Sequence, residues 1–209
     1  LNRMKIAAAS ASALEETLTG LRNGRWGSCG EITVTGVGHS IGGMMIITQA
    51  AAFGGFDRVA VLGWANEAMI LGDTDMATLA AGMPPEGYLH TPAEAMRALF
   101  YLADVPMDVV TADEADRSAT PSCLGRDALT PGIVHAAAAA IRAPIFVLHS
   151  VVDTSPAPHK EVTYFTGSDD VTLSVLQGAA HCQNFATTRR EHWERFERWV
   201  DSVPAGGAA

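Results

Sequence analysis

The chain has 209 residues, 48% hydrophobic and 18% charged, which is enough to bury one large core. Its net charge of −9 argues against nucleic acid or anionic membrane surfaces as partners. No apolar run is long enough to span a membrane. Three scattered cysteines, Cys29, Cys123 and Cys182, are typical of reduced thiols and favour a cytoplasmic location.

The first predicted elements are a helix and a strand. Residues 7–21 have an apolar spacing at Leu14, Leu18 and Leu21 that favours a helix. The β-branched run at residues 31–35 is typical of a buried strand.

A Gly-x-Ser-x-Gly pattern follows this strand at residues 38–42, with Ser40 at its centre. The apolar run 44–52 behind it favours a helix. A strand, a tight turn with a serine and a helix together predict a nucleophile elbow. Gly38 and Gly42 are expected to be glycines because a Cβ on either flank would clash in that turn.

The middle of the chain predicts another strand and a long insertion. Residues 56–64 are typical of a second parallel strand, and the next strand does not begin before Pro144. Residues 66–142 are too long for a single crossover and predict short helices, with helical patterns at 91–102 and 132–141. The methionines of this insertion either pack its own small core or line a pocket: Met69, Met76, Met83, Met96 and Met107.

Two further strands carry candidate catalytic residues at their ends. Asp153 follows the strand predicted at 144–149, and His181 follows the strand predicted at 171–176. Parallel sheets place their chemistry at the carboxyl ends of the strands, so Ser40, Asp153 and His181 are expected to meet. Their order along the chain matches one known arrangement of a catalytic triad.

Other residues compete for these roles. Glu67 follows the strand at 56–64 and is an alternative acid, as are Asp169 and Asp170. His39 is expected to fill space beneath the site, and His149 and His159 to be structural or surface residues.

Cofactor and metal motifs do not emerge from the sequence. The glycines at 36 and 38 fail as a dinucleotide loop because the third glycine position is Ile41. No Cys-x-x-Cys or His-Glu-x-x-His spacing occurs, so neither a metal nor a cofactor is predicted.

The C-terminal segment predicts a helix without a functional role. Thr188 and Glu191 fit a capping box. Trp193, Phe196, Trp199 and Val200 form one apolar face that is expected to pack against the sheet.

From about residue 7 to residue 203 the chain resembles the α/β-hydrolase superfamily. The similar segments are the elbow at 38–43, the acid strand and loop at 143–153, and Gly178-Ala179-Ala180-His181, although Ser150 stands where the family often has glycine. The resemblance implies an α/β fold with a mostly parallel sheet and helices on both faces. It also implies a core from 1–65 and 143–209 and a helical cap at 66–142.

The resemblance also implies a difference at the N-terminus. Members of the family have several strands before the elbow, whereas Ser40 is the fortieth residue here. The chain is therefore expected to be the C-terminal portion of a hydrolase and to need a companion N-terminal segment or chain. That segment would supply one oxyanion-hole amide, and the backbone N–H of Ile41 would supply the other.

The implied activity is that of a serine hydrolase. Ser40, His181 and Asp153 would cleave a carboxylic ester, lactone or thioester of a small, mainly apolar substrate through an acyl-enzyme. The alternatives are a carbon–carbon bond hydrolase or an acyltransferase with the same triad, or a non-catalytic binding protein or subunit of this fold.

Overall fold

In the computed structural model, which describes residues 4–71 and 73–203, parallel strands alternate with helices. The strands are β1 Thr35–His39, β2 Arg58–Leu62, β3 Tyr88–Leu89, β4 Thr120–Pro121, β5 Ile145–Ser150 and β6 Val171–Leu176. Within the described ranges, β1, β2, β5 and β6 pair in that order, all parallel. The predicted α/β class with a mostly parallel sheet is confirmed.

Helices connect and cover these strands. In chain order they are α1 Lys5–Arg22, α2 Ile41–Phe53, α3 Met76–Gly82, α4 Ala93–Phe100, α5 Met107–Ala115, α6 Ser122–Ala128, α7 His135–Ala140, α8 Pro158–Glu161 and α9 Arg189–Ser202. Short 3-10 turns lie after α8 at Val162–Tyr164 and before α9 at Gln183–Phe185.

The central strands divide their side chains between two apolar layers. Val59 and Val61 of β2 belong to a core shared with α1, α2, α6 and α7. Ala60 and Leu62, on the opposite face of the same strand, pack with Trp199 of α9. Because side chains alternate along a strand, β2 and β5 are buried on both faces and form the centre of the molecule.

The strand before the elbow is shifted from its predicted position. β1 covers Thr35–His39 rather than 31–35. Its Gly36 and Gly38 must be glycines, because neighbouring groups already occupy the space that a side chain would need. A Cβ on Gly36 would lie 2.6 Å from the Phe56 ring. The β-branched residues before it form a loop, in which the Val34 amide donates to Asp57 at 2.7 Å.

The N-terminal helix buries only part of the apolar face predicted for it, since Leu18 is buried but Leu14 is not. Ala7, Ala11 and Leu18 are its buried apolar residues, whereas Leu14 is exposed. Small side chains on this face allow α1 to lie close to α2, where Gln49 donates to Glu15 at 3.0 Å.

The segment from residue 66 to 142, here called the cap segment, holds α3 to α7 and the small antiparallel pair β3–β4. Its helices α3 and α4 contain no fully buried residue. Leu124 and Ala138, from α6 and α7, instead pack into the core beside α2. The division of the chain at 66 and 143 stays a prediction, and the ends of the predicted core at residues 1 and 209 lie outside the described residues.

The C-terminal helix packs on the sheet and begins after Thr188 as predicted, but it lacks the predicted side-chain cap. Trp199, Phe196 and Val200 contact the core, while Trp193 is exposed. The Thr188 hydroxyl does not cap the helix, because it donates instead to the carbonyl oxygens of Gln177 and Gly178. The predicted capping box is therefore wrong.

Candidate active site

Three strand ends bring the candidate catalytic residues together. Ser40 follows β1, Asp153 lies three residues beyond β5, and His181 lies five residues beyond β6. The parallel register places these ends at the same edge of the sheet.

Ser40 sits at the apex of a strained turn. Its φ of 55° and ψ of −126° are unusual for a residue with a side chain. The turn requires Gly38, because a Cβ there would lie 2.2 Å from the Gly42 carbonyl oxygen. A Cβ on Gly42 would meet nothing within 4 Å, so the expectation of a clash at that flank is wrong.

The imidazole of His181 links Ser40 to Asp153. Its Nδ1 lies 2.7 Å from Asp153 Oδ1, and its Nε2 lies 2.9 Å from Ser40 Oγ. Since an ionised carboxylate only accepts, the proton is on Nδ1, and Nε2 is left to accept from the serine hydroxyl. The three side chains therefore form one directed chain of hydrogen bonds.

Two residues of the cap segment contact His181. The amide of His181 donates to the Leu99 carbonyl oxygen at 3.0 Å. The ring of Phe100 stacks on the imidazole, with ring centroids 5.5 Å apart. The end of α4 therefore contributes to the position of the candidate base.

Asp153 is buried and well supplied with hydrogen-bond donors. The amides of Ser150 and Thr154 donate to its two oxygens, each at 2.8 Å. Burial alone would raise the pKa of the Asp153 carboxyl, but the contacts with His149 and His181 outweigh it and lower the pKa below its usual range. The carboxylate is thus ionised and fixed in orientation.

The alternative acids lie elsewhere. Glu67 is part-exposed, with its carboxylate 3.8 Å from Lys160 Nζ. Asp169 and Asp170 are exposed at the start of β6.

Two histidines for which no catalytic role was predicted, His149 and His39, contact residues of the triad. His149 is fully buried, and its Nδ1 lies 3.4 Å from Asp153 Oδ2 without forming a hydrogen bond. His39 Nε2 donates to the carbonyl oxygen of His181 at 2.8 Å. Burial, then the neighbouring His181, lower the pKa of His39, so it holds the base loop as a neutral donor. His159, by contrast, is exposed.

Gly63 is a further residue of the candidate site that was not predicted from the sequence. It has a φ of +61°, and a Cβ on it would lie 3.1 Å from the His181 imidazole and 3.4 Å from Asp153 Oδ1. The only sequence signal is a glycine directly after an apolar strand, which is also common in ordinary turns.

The candidate oxyanion donor lies beside the serine. Ile41 is the first residue of α2, so its amide is one of those without an acceptor inside the helix. The helix N-terminus favours negative charge at this point.

A cavity of about 310 Å³ opens above Ser40 and His181. Most of its wall comes from apolar residues of the cap segment, including Met83, Met96 and Leu99. Met69 also lines it, whereas Met107 is exposed to solvent. The size fits a small molecule.

Residues 4–71 and 73–203 contain neither a helix that could cross a membrane nor a cluster of metal-ligating side chains. No helix there is both long and apolar enough to cross a membrane. No group of three or more acidic, histidine or cysteine side chains in this part of the chain could hold a metal ion.

Known structures resemble this one closely in fold. No protein-family model matches the sequence, and no curated protein matches it. The Paleococcus ferrophilus monoacylglycerol lipase superposes with a TM-score of 0.69 at 17% identity, covering 94% of this chain and 75% of that one. The enol-lactonase from Burkholderia xenovorans gives 0.66 at 19% identity, covering 97% and 74%. The bromoperoxidase from Bacillus anthracis gives 0.64 at 17% identity, covering 92% and 73%. The chain therefore has the α/β-hydrolase fold.

Proposed function

We propose that the chain is a serine hydrolase that cleaves carboxylic esters, lactones or thioesters of small substrates. The observation that carries the proposal is the chain of hydrogen bonds from Asp153 through His181 to Ser40, with distances of 2.7 and 2.9 Å. A serine held in a strained turn at the mouth of an apolar cavity supports the same role.

The roles follow from the geometry. His181 Nε2 takes the proton of Ser40 as Oγ attacks the carbonyl carbon, and it then returns the proton to the leaving group. Asp153 keeps Nδ1 protonated and stabilises the imidazolium. Water, activated by His181, then cleaves the acyl-enzyme.

The oxyanion would be stabilised by the Ile41 amide and by a second donor. We propose that a companion N-terminal segment or chain supplies this second amide. Within the described residues β1 pairs on one side only, with β2, and Val37 of this strand is 44% exposed. An open edge of this kind favours the addition of a strand. Full activity and cooperative unfolding of a monomer of residues 1–209 would contradict this part of the proposal.

A cytoplasmic location is supported by the cysteines. Cys29 and Cys123 are exposed free thiols, and Cys182 is a part-buried one. Exposed free thiols are typical of a reducing compartment.

The test compares the wild-type chain with Ser40→Ala. We expect the wild type to hydrolyse p-nitrophenyl esters of short acids and the variant to lose this activity by about 10⁴-fold or more. Circular dichroism and a thermal melt check that the variant is folded. Unchanged turnover in Ser40→Ala would exclude a serine mechanism. Because the isolated chain has one oxyanion donor, a non-catalytic binding role would require both that neither protein turns over the ester and that a fluorophosphonate leaves Ser40 unlabelled.

A further inference from the structure

The cavity above Ser40 carries one permanent positive charge. Arg117 lines it, half-buried, between α5 and β4. Among the described residues that line the cavity, no Asp or Glu occurs, and the other titratable group is His181. Apolar side chains make up most of the remaining wall: Ile41, Met69, Leu71, Leu79, Met83, Leu89, Met96, Leu99, Phe100, Ala128 and Leu129.

Two of the nearby carboxylates bind other residues. Glu114 accepts two hydrogen bonds from Arg97, at 2.9 and 2.7 Å. Asp113 accepts from the Tyr101 hydroxyl. Within residues 4–71 and 73–203, no carboxylate lies within 4 Å of the Arg117 guanidinium, and this group makes no hydrogen bond.

The charge of Arg117 acts close to the catalytic base. Burial, then Asp113 and Asp153, raise the pKa of the Cys182 thiol to about 12, and Arg117 opposes this rise. Cys182 is the direct neighbour of His181 in the chain. Arg117 also lines the same cavity of about 310 Å³ as Ser40 and His181, so a small substrate bound there can reach all three residues.

A half-buried guanidinium in an apolar wall is stabilised when an anion replaces its lost water contacts. Its planar donors match the two oxygens of a carboxylate. We infer that the substrate of this site is an ester or lactone that carries a second, ionised carboxylate, which Arg117 binds while Ser40 attacks the ester carbonyl. This inference rests on the proposed function and narrows its substrate class.

The cavity walls indicate what lies between the two groups. Met83, Met96 and Leu99 offer adaptable apolar surface, which suits methylene groups. In the reaction, the bond from Ser40 Oγ to the acyl carbon forms and the bond from that carbon to the leaving oxygen breaks. The serine proton passes through His181 to the leaving alcohol. Water then releases a dicarboxylic acid and restores Ser40.

The test compares charged and neutral substrates of the same shape. The charged set comprises p-nitrophenyl hemiesters of straight dicarboxylic acids from adipate to suberate. The neutral set comprises the same compounds with the free carboxylate methylated. We expect the wild type to have at least a tenfold higher kcat/KM for the hemiester of the best length.

Arg117→Met removes the charge and keeps an apolar side chain of similar reach. It should lower kcat/KM for the hemiester about tenfold or more and change that for the methyl ester less than threefold. Arg142→Met is the matched control, because Arg142 is exposed, donates to Gly167 and lies outside the cavity lining. Equal effects of Arg117→Met on both substrates, or a wild-type preference for the methyl ester, would overturn the inference while ester hydrolysis itself stands.

A binding measurement separates this inference from the proposed function. Adipate is titrated calorimetrically into Ser40→Ala and into the double variant with Arg117→Met. We expect the second substitution to raise the Kd about tenfold. If no ester is hydrolysed at all, the proposed function fails, and this titration alone decides whether Arg117 binds a carboxylate: an unchanged Kd or no binding contradicts it.

Discussion

The sheet edge and the cap segment make the two sides of the candidate site in different ways. All six residues of β5 are buried, and backbone amides fix the Asp153 carboxylate beyond its end. In the cap segment, α3 and α4 bury no residue completely, and their contribution to the cavity is a set of flexible apolar side chains. Backbone geometry therefore places the candidate catalytic groups, whereas flexible apolar side chains line the proposed substrate cavity.

The strongest test of this comparison removes the fixed acid. Asp153→Asn should lower kcat about 10⁴-fold, because the amide favours the wrong tautomer of His181. Glu67→Gln is the control and should change kcat less than tenfold, since Glu67 lies beside Lys160 away from the triad. Steady-state ester hydrolysis measures both, and the reverse order of effects would assign the acid to Glu67.

Removal of a side chain should destabilise the protein more in the core beside the sheet than in the cap segment. Ile47→Ala removes a fully buried side chain from α2 and should lower the free energy of unfolding by about 2–5 kcal/mol. Met83→Ala removes a half-buried side chain of the cap segment and should lower it by less than about 1.5 kcal/mol. Urea unfolding measures both. Equal losses would show that the cap segment is packed as tightly as the core.

A buried histidine in α9 should make the stability of the protein depend on pH. His192 of α9 is fully buried, and burial, then His39, lower its pKa to about 4 from 6.5. Between these values the unfolded chain binds the proton and the folded chain does not, so stability falls as the pH falls. We expect a loss of about 2 kcal/mol between pH 7.5 and pH 5.

The control for this pH effect is His192→Leu. Urea unfolding of this variant should show a smaller difference between the two pH values than the wild type shows. An identical pH dependence in both proteins would mean that His192 is not the titrating group.

The smallest expected effect concerns the backbone next to the triad. Gly63→Ala forces a Cβ to 3.1 Å from the His181 imidazole and should lower kcat/KM about tenfold. Gly54→Ala is its matched control: Gly54 has a φ of +62°, almost the same as that of Gly63, but no atom lies within 4 Å of the added Cβ. Both variants should lose about 1 kcal/mol of unfolding free energy. If Gly54→Ala also lowered kcat/KM, backbone strain, and not contact with the triad, would explain the loss of activity in Gly63→Ala.

Much of the sheet was predictable from the sequence. The runs at 144–149 and 171–176 are apolar or β-branched, and strands lie at Ile145–Ser150 and Val171–Leu176. The meeting of Ser40, Asp153 and His181 followed from the rule that parallel strands end at one edge. The error at 31–35 arose because intrinsic preference disfavours glycine in strands, while close packing of Phe56 on Gly36 decides the matter.

The rest of the site depends on contacts between distant segments. Neither the burial of His149 against Asp153 nor the approach of Gly63 to His181 has a pattern of spacing in the chain. The position of Arg117 in the cavity likewise depends on how the cap segment folds over the sheet edge. These features become visible only when tertiary packing is known.

Covalent labelling by a fluorophosphonate tests the proposed catalytic triad most directly. Intact mass spectrometry of the wild-type chain should show one adduct, and peptide mapping should place it on Ser40, because Nε2 of His181 activates that hydroxyl alone. Ser40→Ala should stay unlabelled. An unlabelled wild type, or an adduct on another residue, would contradict the claim that Asp153, His181 and Ser40 act as a catalytic triad.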